Sequence, residues 1–207
     1  MEKNAKYFRE AAWAQLTGNW KPAVLVTLVY ILIVGAMEGA KSLSFLSIFV
    51  LGPLSYGYYV SFLNSKRTGE VVRIENLFDG FKDYARVFLT NLLQSIYIVL
   101  WTLLLIVPGI IKSISYSQTF FVLKDNPELK NNAAIERSMA MMEGHKMGGV
   151  AIITAAIVLL SAASFITGVT SILTLGIGLL WVNPYIATAT AHFYEYVKED
   201  YERRIEA

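Results

Sequence analysis

Residues 147–194 form an uninterrupted run of 48 residues without Asp, Glu, Lys or Arg. The hydrocarbon core of a bilayer is about 30 Å thick, and roughly 20 helical residues at 1.5 Å each cross it. A run of this length is therefore long enough for two membrane crossings. We expect the chain to turn between them at Thr167 and Gly168.

Shorter runs without these charged residues occupy positions 22–37, 42–65, 87–111 and 113–123. The third run contains Pro108 followed by Gly109, a pair that breaks a helix or kinks it sharply. We therefore predict a turn at this pair, which divides the region into two membrane segments.

The resulting prediction is an all-α integral membrane protein with six transmembrane helices arranged as three hairpins. The spans are predicted at residues 21–38, 43–63, 87–107, 109–123, 147–166 and 172–194. The fourth reaches only about 22 Å, so it either continues past Lys124 or ends part-way across the bilayer. Five spans with one long kinked helix are the alternative.

Basic residues collect in the segments between the predicted hairpins. Residues 1–21 carry four, 64–86 five, 124–146 four and the tail after Tyr194 three, which is 16 of the 18 Lys and Arg residues. Lys and Arg are retained in cytoplasmic loops of membrane proteins. We therefore expect all four stretches, and both termini, to be cytoplasmic.

The overall composition excludes several classes of protein. Residues are 55% hydrophobic and only 16% charged, with a mean hydropathy of +0.48, which cannot cover a water-soluble particle with polar surface. Basic and acidic residues number 18 and 16, so a nucleic-acid partner is not expected. The chain has no cysteine, which excludes disulfides and thiolate metal sites. We expect no catalytic group, metal or cofactor.

A short pattern of glycine, ring residue and lysine recurs before each predicted hairpin, with glycines 18, 80 and 144 at its start. The spacing predicts three repeat-like units, 1–65, 66–124 and 125–200, within one membrane domain of residues 1–207 that ends in a charged tail at 195–207. Chance recurrence in an aromatic-rich chain is the alternative. The predicted interfacial anchors are Trp20, Lys21, Phe81, Lys82, His145 and Lys146.

Each of these motifs follows or ends a segment with apolar residues at helical spacing. The first stripe is Phe8, Ala12 and Leu16, the second Leu77, Phe81, Tyr84 and Phe88, and the third Ile135, Met139 and Met142. This periodicity predicts three cytoplasmic amphipathic helices that lie flat, with the apolar face in the acyl boundary of the membrane.

Polar residues cluster within the predicted fourth span. Lys112 precedes Ser115, Tyr116, Gln118 and Thr119, and Asn183 stands before a proline in the last span. Intramembrane polar residues are candidates for a substrate or lipid site, so these six are the candidate lining of a polar cavity. Alternatively, Lys112 reaches the outer headgroups and the hydroxyls hold helices together.

The second half of the chain resembles a known family. The motifs that carry the resemblance are Val107-Pro108-Gly109-Ile110-Ile111-Lys112, Asp125-Asn126-Pro127-Glu128-Leu129, Met141-Met142-Glu143-Gly144-His145-Lys146 and, near the end, Leu173-Thr174-Leu175-Gly176-Ile177-Gly178 with Pro184-Tyr185. They are similar to the domain-of-unknown-function 975 family of bacterial integral membrane proteins. The resemblance implies a multi-span protein of the bacterial cytoplasmic membrane and no established activity. A remoter likeness to the membrane portion of some glycerophosphodiester phosphodiesterases implies a lipid-related setting.

Three functional hypotheses follow. The first is a non-enzymatic protein whose cytoplasmic helices interact with anionic membrane lipids or with a partner membrane protein. The second is a carrier or lipid-translocating protein with a polar cavity near Lys112 and Asn183. The third, an intramembrane lipid hydrolase, lacks a nucleophile paired with a base in the sequence.

Overall fold

The computed structural model describes residues 4–39, 44–145, 148 and 172–206. Over these ranges the chain is helical and contains no strand. The helices are α1 Ala5–Leu16, α2 Trp20–Gly39, α3 Ser44–Thr68, a 3-10 helix Ile74–Phe81, α4 Tyr84–Leu104, α5 Ile106–Ser115, α6 Thr119–Asp125, α7 Asn132–Met141 and α8 Ile172–Glu206. The predicted span 147–166 and its hinge lie outside the described residues, Gly148 excepted.

Four segments of the described chain are long and apolar enough to cross a membrane: Trp20–Met37, Leu46–Thr68, Tyr84–Leu104 and Ile106–Asp125. They correspond to the first four predicted spans. The predicted span 172–194 lies within α8, which continues to Glu206. The all-helical class and the presence of helices that could span a bilayer agree with the sequence prediction.

The turn between α4 and α5 lies at Leu105 and not at Pro108-Gly109 as predicted. Leu105 is extended (φ −160°, ψ 138°), and α5 folds back along α4, with the Lys112 amine 5.1 Å from the Trp101 ring centroid. Pro108 is the third residue of α5, where its missing N–H has no helical partner to lose. The two helices therefore form a hairpin and not one kinked helix.

A second break falls at Tyr116–Gln118, between α5 and α6. The Lys112 carbonyl accepts from the Tyr116 N–H and the Tyr116 carbonyl from the Thr119 N–H, at 2.9 and 3.1 Å, so the link is a tight turn. The polar residues Tyr116, Ser117 and Gln118 therefore lie where the backbone is irregular, so their side chains do not follow the directions of one continuous helix.

Several residues of the predicted apolar stripes are buried in the protein and do not face acyl chains as predicted, whereas Tyr84 of the second stripe is exposed. Phe8 of α1 is 1% exposed and meets Phe193 of α8 edge-on, with ring centroids 5.3 Å apart. Leu77 and Ile135 are also buried in the protein. The flat interfacial placement is therefore wrong for Phe8, Leu77 and Ile135, which are buried within the protein, and it stays a prediction for the exposed part of the second stripe.

The 3-10 helix lies directly against α3 through two glycines. A Cβ on Gly57 of α3 would lie 2.1 Å from the Leu77 carbonyl oxygen, and a Cβ on Gly80 would lie 2.0 Å from the Pro53 carbonyl oxygen. Only glycine permits this approach. By contrast, Gly18 and Gly144 adopt positive φ (86° and 82°), so Gly80 differs from the other two copies of the predicted repeat.

Two apolar clusters meet along α3. One face of α3 contributes Tyr56, Val60 and Leu63 to a cluster with α1, α6, α7 and α8. Another face contributes Leu54, Tyr58 and Phe62 to a cluster with α2 and the 3-10 helix. α3 therefore takes part in both clusters, whereas α5 packs mainly against α4.

Candidate functional site

A cavity of about 390 Å³ lies between α3, α4, α8 and the link that joins α5 to α6. Its walls are mainly aromatic and aliphatic, and its polar side chains are Tyr59, Gln94, Tyr116, Ser117, Gln118 and Thr190. Two of the six predicted cavity residues, Tyr116 and Gln118, are therefore brought together here.

Gln118 is held at the cavity wall by several hydrogen bonds. Its amide nitrogen Nε2 donates to Ser117 Oγ at 2.9 Å, and its backbone N–H lies 3.3 Å from Ser138 Oγ. Ser138 in turn donates to the Ser115 carbonyl at 2.9 Å. This chain of bonds fixes the α5–α6 link against α7.

Two amide oxygens at this site have no hydrogen-bond partner within the described residues. They are Oε1 of Gln118, whose residue is 1% exposed, and Oε1 of Gln94. A buried acceptor without a partner costs about 1–3 kcal/mol. Gln94 was not among the predicted residues, and because its predicted span also contains Asn91, Ser95 and Thr102, the sequence gives no signal that singles it out.

Ser115 and Thr119 do not line this cavity. Their hydroxyls bond to backbone carbonyls of the same segment, Ser115 to Ile111 at 2.9 Å and Thr119 to Tyr116 at 2.7 Å. Asn183 is half-buried on α8 and lines neither this cavity nor the one beside Lys112. Ser115 instead lines the cavity beside Lys112, and Asn183 is separate from the polar residues around Gln118.

Lys112 lines a different cavity of about 280 Å³, together with Glu136, Met139 and Glu143. Its Nζ is 3.8 Å from the Met139 sulfur of α7. The sequence prediction placed Lys112 near the outer headgroups and α7 on the cytoplasmic side, and this contact makes the two placements incompatible. Lys112 lies beside α7 because α5 begins at Ile106 and folds back toward it.

The predicted anchors occupy several different surroundings. Trp20 borders an apolar groove of about 540 Å³ with Trp13, Trp181 and Tyr185. Lys21 is exposed, and the Lys82 side chain, 81% exposed, pairs with Asp79 at 2.7 Å. Phe81 stacks on Tyr84. Lys146 lies outside the described residues.

His145 contacts the C-terminal part of α8. Its Nε2 is 2.9 Å from Asp200 Oδ2, and Arg204 Nε is 3.0 Å from the same oxygen. The hydrogen bond with His145 is the largest cause that holds the pKa of Asp200 below its usual range; burial opposes it, and the charges of His145, Arg204 and Arg203 lower the pKa further. This carboxylate ties the residues after α7 to α8.

A charged cluster around Asp125 was not predicted from the sequence. The carboxylate accepts two bonds from the Arg67 guanidinium, at 2.6 and 2.8 Å, and one each from Lys198 Nζ at 2.6 Å and Tyr194 Oη at 2.9 Å. Arg67 also donates to Glu195 at 2.6 Å. The cluster joins α3, α6 and α8, and spacing along the chain gives no signal for it, since the partners are 58 to 73 residues apart.

Within the part of the chain that the structure describes, no group of three His, Asp or Glu residues is placed to hold a metal ion. The described walls of the cavity beside Gln118 offer hydrogen bonds and apolar contact.

The family model described as "Protein of unknown function (DUF975)" matches residues 102–201. No curated protein and no solved structure matches the chain. The matched region begins near the end of α4 and includes the α5–α6 link and most of α8. Residues 102–201 therefore carry the DUF975 pattern, and the family resemblance predicted from the sequence is confirmed over that range.

Proposed function

We propose that this chain is an integral membrane protein that holds an amphipathic molecule, such as a membrane lipid, in the cavity lined by Gln94, Tyr116 and Gln118. This is the carrier hypothesis with its site moved away from Lys112 and Asn183. The cavity volume, about 390 Å³, is within the range of roughly 300–1,000 Å³ that small-molecule sites occupy. Mainly apolar walls with a few polar groups are also typical of such sites.

The observation that carries the proposal is the pair of unpartnered amide oxygens on Gln94 and Gln118. Buried polar groups in proteins nearly always have a hydrogen-bond partner, and an exception calls for an explanation. A bound ligand that supplies the partners explains two of the three buried side-chain atoms without a partner in the described chain, whereas the third, Arg137 Nε, lies outside this cavity. The proposed activity is binding and carriage, without a chemical step.

Native mass spectrometry of the full chain, purified in a mild detergent, tests this proposal. We expect the protein to retain an acyl-chain lipid. Thr190→Trp places a large side chain in the cavity and should reduce the lipid-bound fraction at least fivefold. Thr190→Leu is a smaller change at the same position and should give an intermediate loss.

Leu103→Trp is the matched control, because Leu103 is 79% exposed near the end of α4 and is not among the residues that line the cavity. Its lipid-bound fraction should equal that of the unmodified protein. Equal loss in Leu103→Trp and Thr190→Trp, or no loss in either Thr190 variant, contradicts the proposal.

A second function is favoured by exposed cations and rings on the predicted cytoplasmic side. Lys21 and Lys82 are exposed, and so are Phe78 and Trp13. Each basic residue near an anionic membrane surface contributes about 1 kcal/mol. Binding of anionic lipid by this surface is therefore proposed as an accessory property.

Lipid exchange between nanodiscs of different composition tests the accessory property. The unmodified protein should enrich phosphatidylglycerol over phosphatidylcholine around itself, and Lys21→Gln/Lys82→Gln should reduce the enrichment about tenfold or more. No enrichment in the unmodified protein contradicts it.

The proposed location is the bacterial cytoplasmic membrane, with both termini in the cytoplasm. The excess of Lys and Arg in the four predicted cytoplasmic stretches supports this orientation. The cavity then lies on the membrane side of the Asp125 cluster, because the α5–α6 link precedes Asp125 along the same segment.

A further inference from the structure

We infer that the cavity beside Gln118 binds an uncharged polyhydroxyl group, such as a glycerol or sugar headgroup, and not a phosphate. This inference rests on the proposed function and adds the chemical class of the ligand. Three properties of the cavity carry it: the unpartnered acceptors, the absence of charge among its described lining residues, and its size.

The unpartnered atoms are acceptors. An amide Oε1 has no proton to donate, so Gln94 and Gln118 require a ligand that donates hydrogen bonds. One of the two N–H groups of Gln118 Nε2 already bonds to Ser117 Oγ. The last side-chain torsion of glutamine is broad, so the Gln94 amide oxygen can turn toward a ligand at small cost, whereas the Gln118 oxygen turns only at the expense of the bond to Ser117. Hydroxyl groups provide such donors, whereas a phosphate diester provides acceptors alone.

The cavity offers nothing to neutralise an anion. None of the eleven described residues that line it is Asp, Glu, Lys, Arg or His. Burying an unpaired charge costs far more than burying a hydroxyl that finds a partner. Lys112, the cation among the predicted cavity residues, lines a separate cavity. The site therefore discriminates against phosphate and carboxylate headgroups.

The size of the cavity sets how much of a ligand it encloses. A volume of about 390 Å³ accommodates a glycerol or hexose with the first part of an acyl chain. The rings of Phe120 and Phe193 and the side chain of Ile186 supply apolar contact for that chain. The same hydroxyl chemistry can come from a neutral lipid or from a free polyol, and the test separates these sources.

The test titrates 1-monooleoylglycerol into the full chain in detergent and measures binding by native mass spectrometry. Methyl oleate has the same acyl chain without hydroxyls, oleoyl lysophosphatidic acid adds a phosphate, and glycerol lacks the acyl chain. We expect 1-monooleoylglycerol to bind at least tenfold more tightly than methyl oleate and lysophosphatidic acid, a difference of about 1.4 kcal/mol. Competition by millimolar glycerol assigns the site to a free polyol, and its absence assigns the site to a lipid.

The variant Gln94→Leu/Gln118→Leu should lower the affinity for 1-monooleoylglycerol to that for methyl oleate and leave methyl oleate binding unchanged. If the double variant does not fold, Gln94→Met alone should lower the ratio of the affinity for 1-monooleoylglycerol to that for methyl oleate at least threefold. Equal binding of the two ligands, or tighter binding of lysophosphatidic acid, overturns the inference. If 1-monooleoylglycerol and methyl oleate bind equally, Thr190→Trp distinguishes the two proposals. Reduced binding of both ligands in Thr190→Trp leaves the proposed carrier function standing. Unchanged binding of both contradicts that function as well.

Discussion

The guanidinium of Arg67 and the carboxylate of Asp125 are joined by two parallel hydrogen bonds of 2.6 and 2.8 Å, which connect the end of α3 to the end of α6. The Asp125 side chain is only 9% exposed, and Lys198 and Tyr194 of α8 bond to the same carboxylate. Bidentate pairs between Arg and a carboxylate are strong and directional. Asp125 therefore fixes three helices relative to one another at one end of the protein.

Replacing Asp125 by Asn should lower the free energy of unfolding by roughly 2 to 3 kcal/mol, because Arg67 and Lys198 then lose a shared counter-charge in a partly buried place. In a chain of this length the loss corresponds to a decrease in Tm of about 4 to 12 °C. Thermal unfolding of the purified protein in detergent measures it.

Asp79→Asn is the control for this prediction, since Asp79 pairs with a Lys82 side chain that is largely in solvent. Exposed pairs contribute at most about 1 kcal/mol. Equal decreases in Tm for Asp125→Asn and Asp79→Asn contradict the stabilising role of the Asp125 cluster.

Gly57→Ala and Gly80→Ala should each destabilise the protein by about 3 kcal/mol. A Cβ at either position lies about 2 Å from a backbone carbonyl oxygen, of Leu77 or Pro53, and backbone cannot move aside as a side chain can. Gly35→Ala is the matched control, because nothing lies within 4 Å of its added Cβ and alanine favours a helix. Unfolding experiments that place Gly80→Ala at or above the stability of Gly35→Ala contradict the close packing of the 3-10 helix on α3.

The ion pair between Asp200 and His145 should make stability depend on pH in the acid range. Because the folded-state pKa of Asp200 is lowered, its carboxylate contributes stability above the usual carboxyl pKa of about 4, and this contribution is lost as pH falls through the folded-state value. The free energies of unfolding of the unmodified protein and of Asp200→Asn should differ at pH 6 by less than about 1 kcal/mol and converge as the pH falls below that folded-state value. If the difference between the unmodified protein and Asp200→Asn stays constant as the pH falls, the Asp200 carboxylate does not stabilise the protein in this way.

Residues 73 and 130 should face the cytoplasm. The chain contains no cysteine, so a single substitution gives an unambiguous label. Arg73 and Lys130 are both exposed in the protein. Arg73→Cys and Lys130→Cys should react with a membrane-impermeant maleimide only after the cells are permeabilised. Reaction of either in intact cells contradicts the proposed orientation.

Much of the helical pattern could be predicted because the bilayer dictates the length of apolar runs. The predicted spans 21–38, 43–63 and 87–107 correspond to α2 Trp20–Gly39, α3 Ser44–Thr68 and α4 Tyr84–Leu104. Proline was less informative. Pro108 is compatible with the first turn of a helix as well as with a break, so the turn at Leu105 could not be distinguished from one three residues later.

The packing partners could not be predicted from periodicity. An apolar stripe such as that containing Phe8 indicates that one face is buried, and it does not say whether lipid or another helix covers that face. Here α8 covers it. The same limit applies to the site: Tyr116 and Gln118 were predicted as cavity residues, whereas Gln94 and Thr190 join them only through the tertiary arrangement of α4 and α8.

Photolabelling tests the central claim, that an acyl-chain ligand occupies the cavity beside Gln118. Cells expressing the chain are grown with a diazirine fatty acid that enters their membrane lipids, then irradiated, and the labelled residues are mapped by mass spectrometry. We expect labels on the cavity walls, at residues 114–121 and 186–193, and we expect Thr190→Trp to remove them. Labels confined to exposed apolar positions such as Leu103 and Val107 would contradict it.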